Sequence, residues 1–530
     1  MNNPSSSGTG TREGLFASPR WVWATVALLT LIGALVRIKT AGSSLFGDEL
    51  STLWIVDGRS LKQVIEIVNS DAEITPPLYF VLAWMANKLG SDPDLIRLPA
   101  LIAGIGAIPL TYAIGLRMIG RLGALVATAV VTVSPFLVFY SADARAYSVG
   151  ITMLLLSTLG LLLAAETGRR RWWALYGVAS LLALYSHYTM AFVLIGQLLW
   201  LLWAFPSARK SAIVTNAIAA VFYLPWIGGF LADNGSITVP ILEALQGDGF
   251  DSKKNAVEQV VFSRQFTGVW ALGRAADVWL ISLGVLIAAG GASVRWVFGR
   301  VKPVLEGLAS KGLVLAAVLT LSTAIGEAIL LTLGDDIFGG RNLAATWVGL
   351  PFLLGSVVMM NTRFWAALSA TLMLAGFAYG TARITDPVKS SLPYSEASDY
   401  TATVVADGGV AIDAAHFTPS PMSAANAYLP SSVTLYRPGL PALDEVDFIN
   451  RILVPKPRQP VVDEAFADAD GGPVAVMTFG GPDLATDRQF IHDKTGGVVE
   501  VPEGWSITAQ EEFEGLQDLT VTTYERKAGK

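Results

Sequence analysis

From residue 21 the chain is a succession of apolar runs separated by short polar links, and each run is long enough, at roughly 17 to 25 residues, to cross a bilayer as a helix. The runs fall near 21–38, 97–118, 122–140, 147–165, 172–187, 189–205, 211–231, 277–293, 312–333, 343–360 and 364–381, which predicts about eleven transmembrane helices. A further apolar segment, 76–89, is too short at about 14 residues to cross. It opens on Pro76-Pro77, suited to a first helical turn, and is expected as a juxtamembrane helix. Beyond residue 390 the pattern shortens into helix-like and strand-like pieces: 400–407 then 409–414, 423–429 then 433–436, 461–469 then 474–479, and finally 505–513 and 519–524. That alternation predicts a small α/β domain at 390–530, after a membrane domain at 21–385 and a disordered cytoplasmic N-terminus at 1–20.

The basic residues orient this pattern. With the N-terminus cytoplasmic and 76–89 not crossing, the compact basic links at 117–121, 166–171 (with Arg169-Arg170-Arg171), 207–210 and 295–311, and Arg363, all share the cytoplasmic side. If 76–89 crossed, every one of them would be misplaced. The opposite face then holds the first outer loop, 39–94, the turns near 143 and 187, the long loop 233–277, the turn 334–342 and the C-terminal domain. Acids, aromatic residues and irregular sequence gather there, so function is expected there.

Composition agrees. The chain of 530 residues is 52% hydrophobic and 15% charged, with mean hydropathy +0.51, where soluble domains carry roughly 25% charged residues. A net charge of −6 without a basic face argues against nucleic acid as a partner. The absence of cysteine excludes disulfides and thiolate chemistry, and only His187, His416 and His492 are available for a histidine metal centre. The C-terminal part has no phosphate loop, nucleophile elbow or metal spacing, so a structural or docking role is expected of it.

Candidate chemistry starts at Asp48-Glu49, just past the first span. Adjacent acids beside a membrane raise one another's pKa and can supply a proton acceptor near neutral pH, whereas the plain reading is an acidic turn capping a short helix. Asp143 and Arg145 lie between two spans, either as a local ion pair or as contacts to sugar hydroxyls and phosphate. His187 lies at the same boundary and would hydrogen-bond phosphate or acceptor rather than ligate metal. Cations for a phosphate are Arg341 and, in the long loop, Lys253, Lys254, Arg264 and Arg274. Asp335-Asp336 could hold a divalent cation, but a solvated turn explains the pair as well. Trp84 suits interfacial anchoring and Tyr79 a site wall.

The order of these motifs carries a resemblance. An Arg at the end of the first span, Leu45-Phe46-Gly47-Asp48-Glu49, Thr75-Pro76-Pro77-Leu78-Tyr79, Ile96-Arg97-Leu98-Pro99-Ala100-Leu101 and Tyr140-Ser141-Ala142-Asp143-Ala144-Arg145-Ala146-Tyr147 together resemble the GT-C class of polytopic glycosyltransferases. The similar branch is that of protein O-mannosyltransferases and lipid A aminoarabinose transferases. The resemblance implies a GT-C-like membrane domain and an inverting enzyme that takes a sugar from a polyprenyl-phosphate carrier to a glycan, lipid or protein acceptor outside the cytoplasm, without an organic cofactor. It implies Asp48 as general base with Glu49 beside it, and a substrate-binding set of Tyr79, Asp143, Arg145, Tyr147, His187 and Arg341. In the resembling enzymes a Tyr usually follows the last Arg; here Asn342 does. The setting implied is a bacterial cytoplasmic membrane. The rival expectation, a flippase of lipid-linked sugars, calls for midplane acids and inverted repeats, yet Glu327 is the one acid well inside a predicted span.

Overall fold

The computed structural model describes residues 19–70, 73–236, 249–262, 276–298, 308–406, 408–415, 422–438, 458–479, 490–492 and 498–527. The expected N-terminal disorder, Arg264 and Arg274 lie outside these residues. Each predicted apolar run is helical: α1 (Arg20–Ala41), α5 (Leu98–Met118), α6 (Gly120–Val133) with α7 (Pro135–Ala142), α8 (Tyr147–Thr167), α9 (Arg170–Ser186), α10 (Met190–Ala204), α11 (Arg209–Tyr223) with α12 (Ile227–Asn234), and, beyond a further helix α13 (Phe250–Phe262) in the long loop, α14 (Ala276–Val297), α15 (Leu308–Leu333), α16 (Leu350–Met359) and α17 (Arg363–Ile384). Among the described residues seven helices are long and apolar enough to cross a membrane, or nine when each of two bent pairs is one span. The remainder of the expected eleven are α9 and α10, helical where predicted but only 17 and 15 residues long.

Between α1 and α5 lie three short helices, α2 (Asp48–Val56), α3 (Leu61–Val68) and α4 (Leu78–Asn87). The ten residues of α4 reach about 15 Å, half a hydrocarbon core. It packs against α2, α3 and the base of α5.

One bent span shows how a buried charge is tolerated here. Pro135 starts α7 at 53° to α6. A proline nitrogen has no hydrogen for the carbonyl four residues back, which is Val131, and an uncovered carbonyl in a bilayer is costly. Arg37, fully buried in α1, supplies the missing donors: Nη2 to Val131 O at 2.9 Å and Nη1 to Thr132 O at 3.2 Å, with Nε on Ser141 Oγ at 3.1 Å. Thr381 covers the next carbonyl, Val133, at 2.7 Å. The second bent pair joins a 3-10 turn, Asn342–Val348, to α16 at 42°.

The C-terminal part is an α/β domain. α18 (Tyr394–Val405) leads into β1 (Val410–Asp413), then α19 (Ala424–Tyr428), β2 (Thr434–Tyr436), α20 (Gln459–Asp468), β3 (Val474–Thr478), the small pair β4 (Phe490–His492) and β5 (Val498–Glu500), and the hairpin β6 (Trp505–Phe513) and β7 (Leu519–Arg526). The main sheet has the order β2-β1-β3-β7-β6, with β1 parallel to β2 and β3 and the hairpin antiparallel. Period-two alternation divides its faces. Val410, Ile412, Val474 and Val476 pack on Phe466 and Trp505. Ala411, Ala475, Met477 and Val521 face α18 and join an apolar core that continues into Leu45, Trp54, Tyr79 and Phe80 of the first loop.

Candidate active site

Three segments meet on the face that carries the C-terminal domain: the start of α2, the turn 142–146 between α7 and α8, and the turn 334–341 after α15. Gly47 precedes α2 with φ +57°, a left-handed conformation that glycine adopts without strain. The turn delivers Asp48 and Glu49 to the first helical turn, where the helix dipole favours acids.

The two acids then part, because neighbours on a helix point about 100° apart. Glu49 was expected to stand with Asp48 as a catalytic pair; instead it faces the protein. Its oxygens accept from Arg97 Nε and Nη2, both at 2.6 Å, and Oε1 also accepts the Ala144 amide at 2.8 Å. Arg97 further donates to the carbonyls of Ala41 at 2.8 Å and Ser44 at 3.2 Å, and to that of Ser43. This buried pair ties the end of α1, the start of α2 and the 142–146 turn into one unit.

Arg145 departs from expectation in the same way. Its guanidinium is committed to Glu73, at 2.8 and 3.1 Å, to Thr75 Oγ1 at 3.2 Å and to the face of the Phe80 ring, which leaves it a framework cation acting on the site through its field. Tyr79 is buried and its hydroxyl donates to the Ile96 carbonyl at 2.9 Å, so it supports the loop rather than walling the site.

Asp48 remains accessible, with half its side chain exposed, and meets Arg341 from 293 positions along the chain, Nη1 to Oδ2 at 2.5 Å. Arg145, Asp143 and Tyr147 lie close enough to this pair to act on it electrostatically, and the recess is the space they share with it. Burial works to raise the pKa of Asp48, but the positive fields of Arg145 and Arg341 and the hydrogen bond from Arg341 prevail, so it lies below the ordinary value and the carboxylate is ionised. Asp143 shows the opposite balance: burial, then the negative fields of Glu49 and Asp48, raise it well above the carboxylate range. Its carboxyl group has no hydrogen-bond partner among the described residues. The recess thus pairs a charged acid with one that favours its proton.

The rest of the expected set lies nearby. The Tyr147 ring stacks obliquely on Tyr140 at 4.6 Å and on His187 at 5.3 Å. Burial, with the fields of Arg145 and Arg341, pushes His187 down to about 4. Its Nδ1 accepts the Thr189 amide at 3.3 Å, which leaves the proton of the neutral ring on Nε2. The turn bearing Arg341 is braced by Lys253, which grips both oxygens of Asp336, and by Asn342 Nδ2 on Ile337 O at 2.7 Å. Lys253 is therefore spent on the brace, and Asp336 faces an ammonium where a divalent cation was considered. Among the described residues no three His, Asp or Glu side chains are grouped to hold a metal. Glu327 is buried in α15 with neither oxygen hydrogen-bonded.

Sequence reasoning passed over Arg97, Glu73 and the covering role of Arg37. Arg97, set between Ile96 and the apolar opening of α5, carried a usable signal: a charge at the head of a span needs a partner.

The comparisons agree with this architecture. Residues 75–228 match the family model described as dolichyl-phosphate-mannose-protein mannosyltransferase. Among solved structures, ArnT from Cupriavidus metallidurans bound to undecaprenyl phosphate superposes with a TM-score of 0.51 at 12% identity, covering 95% of this chain and 98% of that one. The apo form of the same protein gives 0.49 at 13% identity over 95% and 97%, and the Archaeoglobus fulgidus oligosaccharyltransferase tethered with an acceptor peptide gives 0.40 at 15% identity over 73% and 58%. The fold assignment rests on the first. No curated protein sequence matches the chain. The fold and site define a multi-pass membrane protein with an acid-and-arginine recess beside an appended α/β domain. The fold is of the GT-C type, and within it residues 75–228 carry the match to the mannosyltransferase family model.

Proposed function

We propose that the chain moves a glycosyl group from a polyprenyl-phosphate carrier to an acceptor hydroxyl on the extracytoplasmic side of a bacterial cytoplasmic membrane, with inversion. The observation that carries the reading is the accessible Asp48–Arg341 pair, a carboxylate and a guanidinium in contact with both side chains partly exposed. The similarity to a structure described with bound undecaprenyl phosphate supports the carrier class. The acceptor hydroxyl gives its proton to Asp48 as its oxygen bonds the anomeric carbon. The anomeric C–O bond to phosphate breaks with its electron pair passing to the phosphate, and Arg341 takes up that charge through its planar fork. Asp143, in its protonated form, donates a hydrogen bond to the sugar or acceptor, and His187 presents Nε2–H beside it. The acceptor is a cell-wall polysaccharide, a glycolipid or a protein. Framework duty falls to Glu49–Arg97 and Glu73–Arg145.

The test uses the full chain in nanodiscs with a panel of sugar-labelled polyprenyl-phosphate sugars and membrane-derived acceptors. Label should pass to acceptor as polyprenyl phosphate is released, and Asp48→Asn should reduce the rate by about 10²-fold or more. Translocation of the intact lipid-linked sugar, unaffected by Asp48→Asn, would favour a flippase and overturn the reading.

A further inference from the structure

We propose that the Asp48–Arg341 ion pair is a latch operated by the carrier: the donor's phosphate draws Arg341 off Asp48, and only then does Asp48 serve as proton acceptor. This rests on the function proposed above and concerns the order of events at the same site.

Among the described residues three arginines near the site hold carboxylates, and they do so differently. Arg97–Glu49 and Arg145–Glu73 are each held by two parallel contacts, with side-chain exposures of 4% and 8% and of 10% and 6%. Arg341 holds Asp48 through one nitrogen and one oxygen, with 37% and 50% of the two side chains exposed. Two-point buried pairs resist exchange; a single-point pair that a ligand can reach does not. The donor's phosphate, a diester between polyprenyl and sugar, bears one negative charge shared over two unesterified oxygens, so it offers the guanidinium the two-point contact that Asp48 does not make and competes with Asp48 for it.

Among the described residues no other cation is placed to replace Arg341. Arg97 and Arg145 are committed to Glu49 and Glu73, and His187 is neutral, with its Nδ1 already taken by the Thr189 amide. Asp48 then loses the contact and the charge of Arg341, and burial with the neighbouring Asp143 works to raise its proton affinity against the remaining field of Arg145. The turn carrying Arg341 is pinned by Lys253–Asp336 and by Asn342–Ile337, so a rotation of the Arg341 side chain suffices and the loop can stay in place. The reverse step resets the site. When polyprenyl phosphate departs, Arg341 returns to Asp48, which releases to water the proton taken from the acceptor. Without a carrier the base is capped, and an acceptor arriving first is not deprotonated.

The test measures binding of undecaprenyl phosphate to the full-length protein in nanodiscs for the wild type, Asp48→Asn, Arg341→Gln and the double variant, with size-exclusion profile and melting temperature confirming folded samples. Asp48→Asn should bind about fivefold tighter, because the competitor for Arg341 is gone, and Arg341→Gln at least about tenfold weaker. In the Arg341→Gln background the gain from Asp48→Asn should disappear. The latch is overturned if Asp48→Asn weakens binding, which would mean that Asp48 holds Arg341 in place for the phosphate. It is also overturned if the gain persists without Arg341, which would reduce it to the loss of a nearby negative charge. A wild type with no affinity for undecaprenyl phosphate overturns the functional reading itself.

Discussion

The Arg97–Glu49 pair allows the framework to be tested apart from the chemistry. Arg97→Met strips Glu49 of both 2.6 Å contacts and leaves its carboxylate, 6% exposed, with only the amides of Ala144 and Phe46. Removing one partner of a buried pair costs about 3–5 kcal/mol because the other charge stays buried and uncompensated. The carbonyls of Ala41, Ser43 and Ser44 lose their donor in the same step. Against a total stability of about 5–15 kcal/mol, the change should loosen or unfold the start of α2. Glu49→Leu alone strands Arg97 instead, whereas the double variant strands neither, so the two changes should be far from additive, with a coupling of about 2 kcal/mol or more. Unfolding by SDS titration in mixed micelles gives the cycle, and hydrogen exchange over 48–56 locates the loss. Additivity within about 0.5 kcal/mol would refute the account of this pair as the clamp on α2.

Other consequences can be checked in the same system. Arg37→Ala should cost about 2 kcal/mol or more by uncovering the Val131 and Thr132 carbonyls, and adding Pro135→Ala, which restores an N–H for Val131, should recover part of the loss in the unfolding midpoint. Arg145→Lys should lower the melting temperature, because lysine cannot reproduce the forked contact to Glu73, yet leave undecaprenyl phosphate affinity within about twofold, as suits a cation already engaged. Burial pushes Asp94, which accepts the Tyr428 hydroxyl at 3.1 Å, up to about 6 despite Arg97 and that hydrogen bond. The unfolded value is about 3.9, so folding takes up a proton between the two. The contribution of Asp94 is full below about 4 and lost as pH rises through about 6. Stability measured across this window should therefore fall more steeply in the wild type than in Asp94→Asn.

The membrane domain was legible because hydrocarbon imposes a length and a composition on whatever crosses it, and the shortness of the 76–89 helix could be read from the length of its apolar run. The alternating tail yielded its strands for a similar reason, since β1 and β3 each divide small and branched residues between two faces. Asp48, Asp143 and Arg341 stood out as charges beside spans. What the chain order hid was commitment. Asp48 and Glu49 are adjacent, and only the direction in which α2 leaves Gly47 decides which of them faces the recess. Arg145 looked like a partner for Asp143 or for phosphate because its actual partner, Glu73, lies in a polar stretch that resembles any solvated turn. Arg37 looked like a flank of the first span until Pro135, nearly a hundred residues later, was seen to leave carbonyls for it to cover.

The central claim is that Asp48 and Arg341 face one substrate, with acceptor oxygen on one side and carrier phosphate on the other. A cryo-EM structure of the full chain in nanodiscs with undecaprenyl phosphate tests it most directly. The account predicts phosphate density within hydrogen-bond distance of Arg341, with Asp48 released from that arginine and open to the recess. Phosphate bound at another set of cations, with the Asp48–Arg341 pair intact, would contradict it.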